Sequence, residues 1–235
     1  DLLPSDILGT HLYDQKRGEF YFQKGPIFGE FILADELNRA SPKTQSALLQ
    51  AMDERKVSID GNDYCLNKDF LVAATQNPYE QVGTFNLPES QIDRFFMSLT
   101  VGYPKREDEL KMTEVDEIQS KIDEIDTIID ENEAIEIFNK SKSVTISDEL
   151  SNYIMDIIER TREFRTGMQA ASPRATRALM KATKMKSIID GRNYSLPEDV
   201  KFVAPAILSH RIGGSKGVKW GRQLAQEILE SLPVF

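Results

Sequence analysis

FILADELNRA, residues 31–40, begins as an apolar run and stops at two adjacent carboxylates, Asp35 and Glu36. In a parallel α/β sheet, a buried strand delivers polar side chains in this way to the edge where ligands bind. One carboxylate of such a pair can hold a magnesium ion, and its neighbour can polarise an attacking water molecule. The stretch predicts a strand followed by an acidic site, although acids at strand ends are common and the pair alone is a weak signal.

A second apolar run, residues 70–74, also ends in polar side chains, among them Thr75 and Asn77. Neighbouring parallel strands end at the same edge of a sheet, so we expect these side chains to lie beside the acids. Asn77 either orients a water molecule or a phosphate oxygen through its amide or, as the residue before Pro78, only forms a turn.

The pattern around these two runs is that of an α/β domain. Ser41 and Pro42 are a serine N-cap and a first-turn proline, and they predict a helix that runs to about Arg55. A hairpin is predicted around Gly18, a second hairpin over residues 57–66 and a further strand over residues 97–101.

From Lys105 the apolar spacing becomes helical. Isoleucines recur at helical spacing over residues 115–129, which is either ordinary amphipathic packing or a short coiled-coil strip. The predicted domains are residues 1–104 as an α/β core, 105–145 as a helical connection and 146–235 as a helical domain. Further helices are predicted over residues 148–164, 173–190, 197–208 and 220–232.

Composition and charge narrow the class of protein. The 235 residues are 40% hydrophobic and contain no apolar run of membrane-spanning length, and the chain does not start with a signal-like segment. Cys65 is the single cysteine and cannot form an internal disulfide, which fits a reducing compartment and a cytoplasmic location. The net charge of −9 disfavours duplex nucleic acid as a partner.

The charge is unevenly distributed. Residues 105–163 carry 8 basic and 18 acidic side chains, whereas residues 172–235 carry 11 basic and 5 acidic ones. The basic block is either a solvated face or a surface that meets phosphate or an acidic neighbour.

Two arginines complete a possible phosphate site. Arg94 lies in LPESQIDRFF, on a predicted short helix, and Arg174 lies in the first turn of the helix that begins after Ser172. A guanidinium near a helix start suits an anion. Each has a structural alternative, since Arg94 could pair with Asp93 or Glu89 and Arg174 could be a solvated first-turn residue. Together with the acids and Asn77, the two arginines suit phosphoryl transfer from a nucleotide.

FILADELNRASPKTQSALLQAMDERKVSI, followed by ATQNP, GTFNLPESQIDRFF and ASPRAT, resembles the MoxR family of AAA+ ATPases. The resemblance implies an ATP- and Mg²⁺-dependent ATPase with a three-layer αβα core and an all-helical lid. It assigns Asp35 and Glu36 to the Walker B pair, with Asp35 supporting magnesium through water and Glu36 activating water. By the same resemblance Asn77 is sensor 1, Arg94 the arginine finger and Arg174 sensor 2.

A P-loop, GxxxxGK followed by Ser or Thr, occurs nowhere in the 235 residues. The family resemblance places that motif and its strand upstream of residue 1. We therefore expect a partial AAA+ core without its first strand and P-loop, and we expect the chain alone to be deficient in ATP binding.

The resemblance further implies a ring of identical subunits, a hexamer, that uses ATP hydrolysis to remodel or mature protein partners in a chaperone-like way. Proteins with von Willebrand factor A domains are the partners it suggests. Two alternatives come from other classes. A nucleic-acid motor similar to MCM proteins fits the two hairpins and the basic block, and a non-catalytic ring subunit fits the missing P-loop.

Overall fold

The computed structural model describes residues 2–77, 83–113, 124–163 and 170–234. Its backbone divides into two compact units, Asp1–Phe95 and Phe96–Phe235, and each is described by itself below. Among the described residues, no helix combines the length and the apolar character needed to cross a membrane.

A parallel pair of strands forms the centre of the first unit. Residues 31–34 (β3) pair with residues 71–74 (β6) so that Phe31 faces Leu71 and Ala34 faces Ala74, which confirms the predicted parallel sheet. The elements of the unit are α1 (Pro4–Leu8), β1 (Gly9–Asp14), β2 (Glu19–Lys24), β3 (Phe31–Ala34), α2 (Pro42–Glu54), β4 (Lys56–Ile59), β5 (Asn62–Cys65), β6 (Leu71–Ala74) and α3 (Glu89–Ile92).

Helix α2 covers one face of this pair. It begins as predicted, because the Ser41 side chain accepts a hydrogen bond from the Thr44 N–H and Pro42 occupies the first turn. The buried face of α2 includes polar residues, since Thr44 and Gln45 are buried together with the leucines. The core of the unit consists of Ile27, Leu37, Leu48, Leu49, Ala51, Val57, Leu66, Phe70 and Leu87.

Both predicted hairpins form. β1 and β2 pair antiparallel, as do β4 and β5. The second turn is shorter than expected, because Asp60 and Gly61 have φ angles of 50° and 81° and close a two-residue turn between Ile59 and Asn62. Asn62 and Asp63 therefore belong to β5 and not to the turn.

The prediction that β3 and β6 are buried strands is correct for one face only. Ile32 and Val72 pack against the core, whereas Phe31, Leu33 and Leu71 are 62%, 63% and 57% exposed. Side chains alternate between the faces of a strand, and the described residues cover a single face of this pair.

The second unit is helical. Its elements are α4 (Arg106–Met112), α5 (Glu131–Ser143), α6 (Asp148–Glu163), α7 (Pro173–Ile189), α8 (Pro197–Ile212) and α9 (Gly217–Ser231). Ser172 caps α7, Ser147 accepts from the Leu150 N–H at the start of α6, and Asp130 forms a capping box with Glu133 before α5. Helices α6 to α9 enclose one core, which includes Ile154, Ile157, Leu179, Ile207, Leu208 and Ile228.

Residues 97–101 were predicted to be a strand, and this prediction is wrong. Their segment is bound to helix α8 instead, because the Ser98 N–H donates to Ala206 O at 2.9 Å and Arg211 Nη1 donates to Phe96 O at 3.1 Å. Val101 is 99% exposed. An apolar run predicts a strand only where a second strand supplies hydrogen-bond partners, and no described strand pairs with this segment.

The helix predicted over residues 115–129 lies mostly outside the described residues. At its described end, Ile125 and Ile129 are not helical and are 69% and 53% exposed, so the prediction is wrong there. The next helix begins only at Glu131, because the capping box fixes its start. Helix α8 continues past the predicted end at Leu208 to Ile212, with Pro205 inside it.

Candidate functional site

Thr75 ties the two carboxylate-bearing residues to the neighbouring strand. Its hydroxyl donates to Asp35 Oδ1 at 2.5 Å and accepts from the Glu36 N–H at 2.8 Å. Its backbone extends the parallel ladder, since its N–H donates to Ala34 O and its carbonyl accepts from the Leu37 N–H, each at 3.0 Å. The sequence placed Thr75 at this edge without a role, and the structure makes it the residue that fixes Asp35 and Glu36.

Glu36 adopts a left-handed backbone conformation, with φ 48° and ψ 47°. This conformation is unfavourable for a residue with a Cβ atom, and it turns the chain sharply from β3 into a short 3₁₀ turn, Leu37–Arg39. The carboxylate of Glu36 lies 3.0 Å from Arg39 Nε and is 40% exposed. Arg39 is thus the ion-pair partner of the proposed water activator.

The turn after Glu36 is held by a buried polar network that the sequence did not indicate. Gln45, only 1% exposed, places Nε2 within 3.2 Å of Leu37 O, 3.1 Å of Ala40 O and 3.0 Å of Phe85 O. Asn38 accepts from the Phe85 N–H at 2.7 Å through its backbone carbonyl. A polar residue inside an otherwise apolar helix face, such as Gln45 next to Leu48, was the available signal.

Asn77 lies at the same edge of the sheet, three residues after the end of β6. Its carbonyl accepts from Asn38 Nδ2 at 3.5 Å. The structure therefore brings Asp35, Glu36 and Asn77 together at the ends of two adjacent parallel strands.

Arg94 lies two residues after the end of the short helix α3, whereas the sequence predicted it on that helix. Its side chain is 30% exposed, and Nε lies 3.9 Å from Asp53 Oδ2 on α2. The ion-pair partners considered from the sequence were Asp93 and Glu89, and the structure adds Asp53 on α2 as a partner. Arg94 belongs to the same unit as the acids.

Arg174 belongs to the helical unit. It lies in the first turn of α7, its backbone N–H donates to Ser172 Oγ at 3.1 Å, and the residue is exposed. The predicted cap geometry is therefore present around it.

The donor set at the acidic edge fits magnesium. Mg²⁺ takes one or two carboxylates from a protein and completes its shell with water and substrate phosphates. Asp35 is exposed and its orientation is fixed by Thr75, so it can act as one such ligand. Within residues 2–77, 83–113, 124–163 and 170–234 there is no cluster of three or more His, Cys, Asp or Glu side chains that could hold a metal ion.

Two parts of the chain match known protein families. Residues 1–97 match the ATPase family associated with various cellular activities (AAA), and residues 162–232 match the AAA lid domain. These matches define the class of the protein, an AAA+ core joined to an AAA+ lid.

Individual relatives narrow this class. The chain is 42% identical to the uncharacterized protein YeaC of Bacillus subtilis and 37% identical to chaperone MoxR1 of Mycobacterium tuberculosis, in each case over 90% of its length. A crystal structure of a candidate ATPase from Cytophaga hutchinsonii shares 40% identity and superposes with a TM-score of 0.85, over all of this chain and 75% of the other. The chain belongs to the MoxR family of AAA+ ATPases. It spans 66% of the length of YeaC and 58% of the length of MoxR1.

Proposed function

We propose that the chain is the part of a MoxR-type ATPase subunit that holds the catalytic acids, and that the intact protein couples ATP hydrolysis to the remodelling of protein partners. The observation that carries this proposal is the pair of hydrogen bonds made by the Thr75 hydroxyl. They fix Asp35 and Glu36 at one edge of a parallel sheet beside Asn77. Relatives named MoxR and chaperone MoxR1 support the remodelling role.

Each site residue has a proposed task. Asp35 holds magnesium, which when bound neutralises charge on the terminal phosphates of ATP. Glu36 accepts a hydrogen bond from the attacking water, and it can do so while Arg39 pairs with Oε2, because a carboxylate has a second acceptor oxygen. Asn77 orients the water or the terminal phosphate through its amide.

Arg94 and Arg174 have proposed tasks in stabilising charge. Arg94 is the arginine finger, which reaches a nucleotide held by a neighbouring subunit in a homo-oligomeric ring, a hexamer by family resemblance. Arg174 is sensor 2. Proteins with von Willebrand factor A domains are the proposed partners, and the 235-residue chain alone is proposed to bind ATP weakly because it contains no P-loop motif.

The central test is Glu36→Gln in the full-length protein. Gln keeps the size of the side chain and removes the base, so we expect turnover to fall at least about a hundredfold while ATP binding persists. Glu30→Gln is the matched control, since Glu30 is an exposed acid next to the other end of β3 and should tolerate the change. Turnover in the Glu36 variant equal to wild type would reject the proposed role.

The trans action of Arg94 has its own test. Arg94→Ala subunits can still hold a nucleotide, and subunits with an inactivated P-loop still carry Arg94. In a mixed ring, a subunit of the second kind can supply Arg94 to the nucleotide of a neighbouring subunit of the first kind, which gives a complete site. We expect each variant alone to be inactive and the mixture to recover part of the ATPase rate. A flat rate across all mixing ratios would contradict a finger that acts between subunits.

A further inference from the structure

Asn38 is a buried polar residue whose amide is only half used. The residue is 6% exposed and lies in the 3₁₀ turn directly after Glu36. Its Nδ2 donates to Asn77 O at 3.5 Å, and its Oδ1 is buried without a hydrogen bond from any described residue. The Asn77 carbonyl can only accept, so it fixes the amide in this orientation. A buried acceptor without a partner lowers stability and calls for an explanation.

The turn does not need this side chain to keep its shape. The backbone carbonyl of Asn38 accepts from the Phe85 N–H, and Gln45 binds the carbonyls of Leu37 and Ala40 on either side. Thr75 joins the two strand ends through separate hydrogen bonds. An apolar side chain of similar volume at position 38 would remove the unpaired acceptor and leave these contacts in place.

The amide of Asn38 nevertheless makes one contact that nothing else in the described network makes. It reaches from the turn that carries Glu36 to the backbone of Asn77. This hydrogen bond thus connects the turn that carries Glu36 to Asn77, in addition to the hydrogen bonds that Thr75 makes with Glu36 and Leu37. At 3.5 Å this bond is at the limit of hydrogen-bond distances, so it adds little to stability.

We infer that Asn38 is a positioning residue for hydrolysis, which sets the distance between Asn77 and Glu36 through its Nδ2 contact. This inference rests on the proposed function, because it needs both residues to act on the same water. Asn38 itself touches neither substrate nor metal in this role.

The test compares stability with turnover in the full-length protein. Asn38→Leu should leave the unfolding midpoint unchanged or higher, because the unpaired acceptor is gone, and should lower kcat about tenfold to a hundredfold with KM for ATP unchanged. Asn38→Asp, which keeps the shape and loses the donor, should lower kcat in the same way. Asn86→Leu is the matched control, an exposed asparagine in the loop after Phe85, and should leave both quantities unchanged.

A double-mutant cycle separates positioning from a general structural effect. If Asn38 acts through Asn77, then Asn38→Leu should reduce kcat in wild type but change it less than twofold in an Asn77→Ala background. Additive losses, or a kcat for Asn38→Leu equal to wild type, would overturn the inference. A wild-type protein without Glu36-dependent ATPase activity would instead reject the proposed function, so the two failures are distinguishable.

Discussion

Leu179 in the helical unit and Leu33 in the α/β unit both lie in regular secondary structure, yet the first is 0% exposed and the second is 63% exposed. The four helices around Leu179 cover one another on every core-facing side. The described α/β elements cover one face of β3 and β6 and leave Phe31, Leu33 and Leu71 exposed on the other. The helical unit therefore obtains its order from apolar packing, whereas the acidic edge is fixed by polar contacts from Thr75 and Gln45.

The largest expected effect concerns the cores. Leu179→Ala should lower the free energy of unfolding of the helical unit by about 3–4 kcal/mol, because it leaves a cavity among buried side chains. Trp220, the single tryptophan, packs against this core and reports its unfolding by fluorescence. Leu49 is equally buried in the α/β unit, and Leu49→Ala should leave the midpoint of the Trp220 transition unchanged. An equal shift by both variants would mean that the units unfold as one.

The second prediction concerns the buried ion pair of the helical unit. Asp199 is 2% exposed and binds Arg192 through two hydrogen bonds, of 2.5 and 2.8 Å. Burial alone would raise the pKa of Asp199, but Arg192, the Leu196 N–H and Ser187 outweigh it and hold that pKa below its ordinary value. Asp199→Asn should therefore cost about 2–4 kcal/mol near neutral pH.

This contribution has a defined pH dependence. Because the pKa in the folded protein is lowered, the stabilisation is complete above the ordinary Asp pKa of about 4 and is lost as pH falls through the folded value. The Trp220 transitions of wild type and Asp199→Asn should thus converge as pH is lowered from 6 to 3. Glu198→Gln serves as the control, because Glu198 is an exposed acid directly before Asp199 in the sequence. This variant should show no such convergence with wild type.

The third prediction concerns the polar network of the α/β unit. Gln45→Leu would remove the side-chain amide that donates to the carbonyls of Leu37, Ala40 and Phe85, so it should cost about 1–3 kcal/mol, although Leu37 O keeps its bond from the Ala40 N–H. Amide hydrogen exchange should become faster over residues 36–40, where the turn loses its support. Gln50→Leu on the exposed face of α2 is the control. Equal exchange in both variants would show that packing, and not Gln45, holds the turn.

The sequence was sufficient to predict those features of the fold that depend on a few neighbouring residues. Ser41 and Pro42 fixed the start of α2, and the polar residues after two apolar runs indicated the edge where Asp35, Glu36 and Asn77 meet. The exposure of Leu33 could not be predicted, because the period of a strand does not say what covers each face. Residues 97–101 were mistaken for a strand since the pattern does not show whether a partner strand exists.

The network residues escaped prediction for a different reason. Thr75, Gln45 and Asn38 each form a hydrogen bond with a residue about 40 positions away in the sequence, as Thr75 does with Asp35. The spacing of residues within a motif does not indicate such contacts. Arg94 was identified, but its contact with Asp53 on α2 depends on packing that the local sequence does not contain.

The smallest expected effect tests the open face directly. Leu33→Thr in the 235-residue chain should change the free energy of unfolding by less than about 0.5 kcal/mol, because the side chain is already in water. Ile32→Thr on the covered face should cost clearly more, since Ile32 packs against the core. Hydrogen exchange of the α/β unit measures both. A comparable loss in the two variants would mean that Leu33 is covered in solution.

The left-handed conformation of Glu36 implies a conflict between stability and catalytic activity at this position. Glycine adopts such a φ angle without a Cβ penalty, so Glu36→Gly should relieve strain worth about 1 kcal/mol, partly offset by the greater freedom of glycine in the unfolded chain. A laboratory screen that rewards heat resistance alone would favour this exchange, whereas a screen that rewards turnover would discard it. Running both screens on one library would show which positions carry residues that favour turnover at a cost in thermal stability.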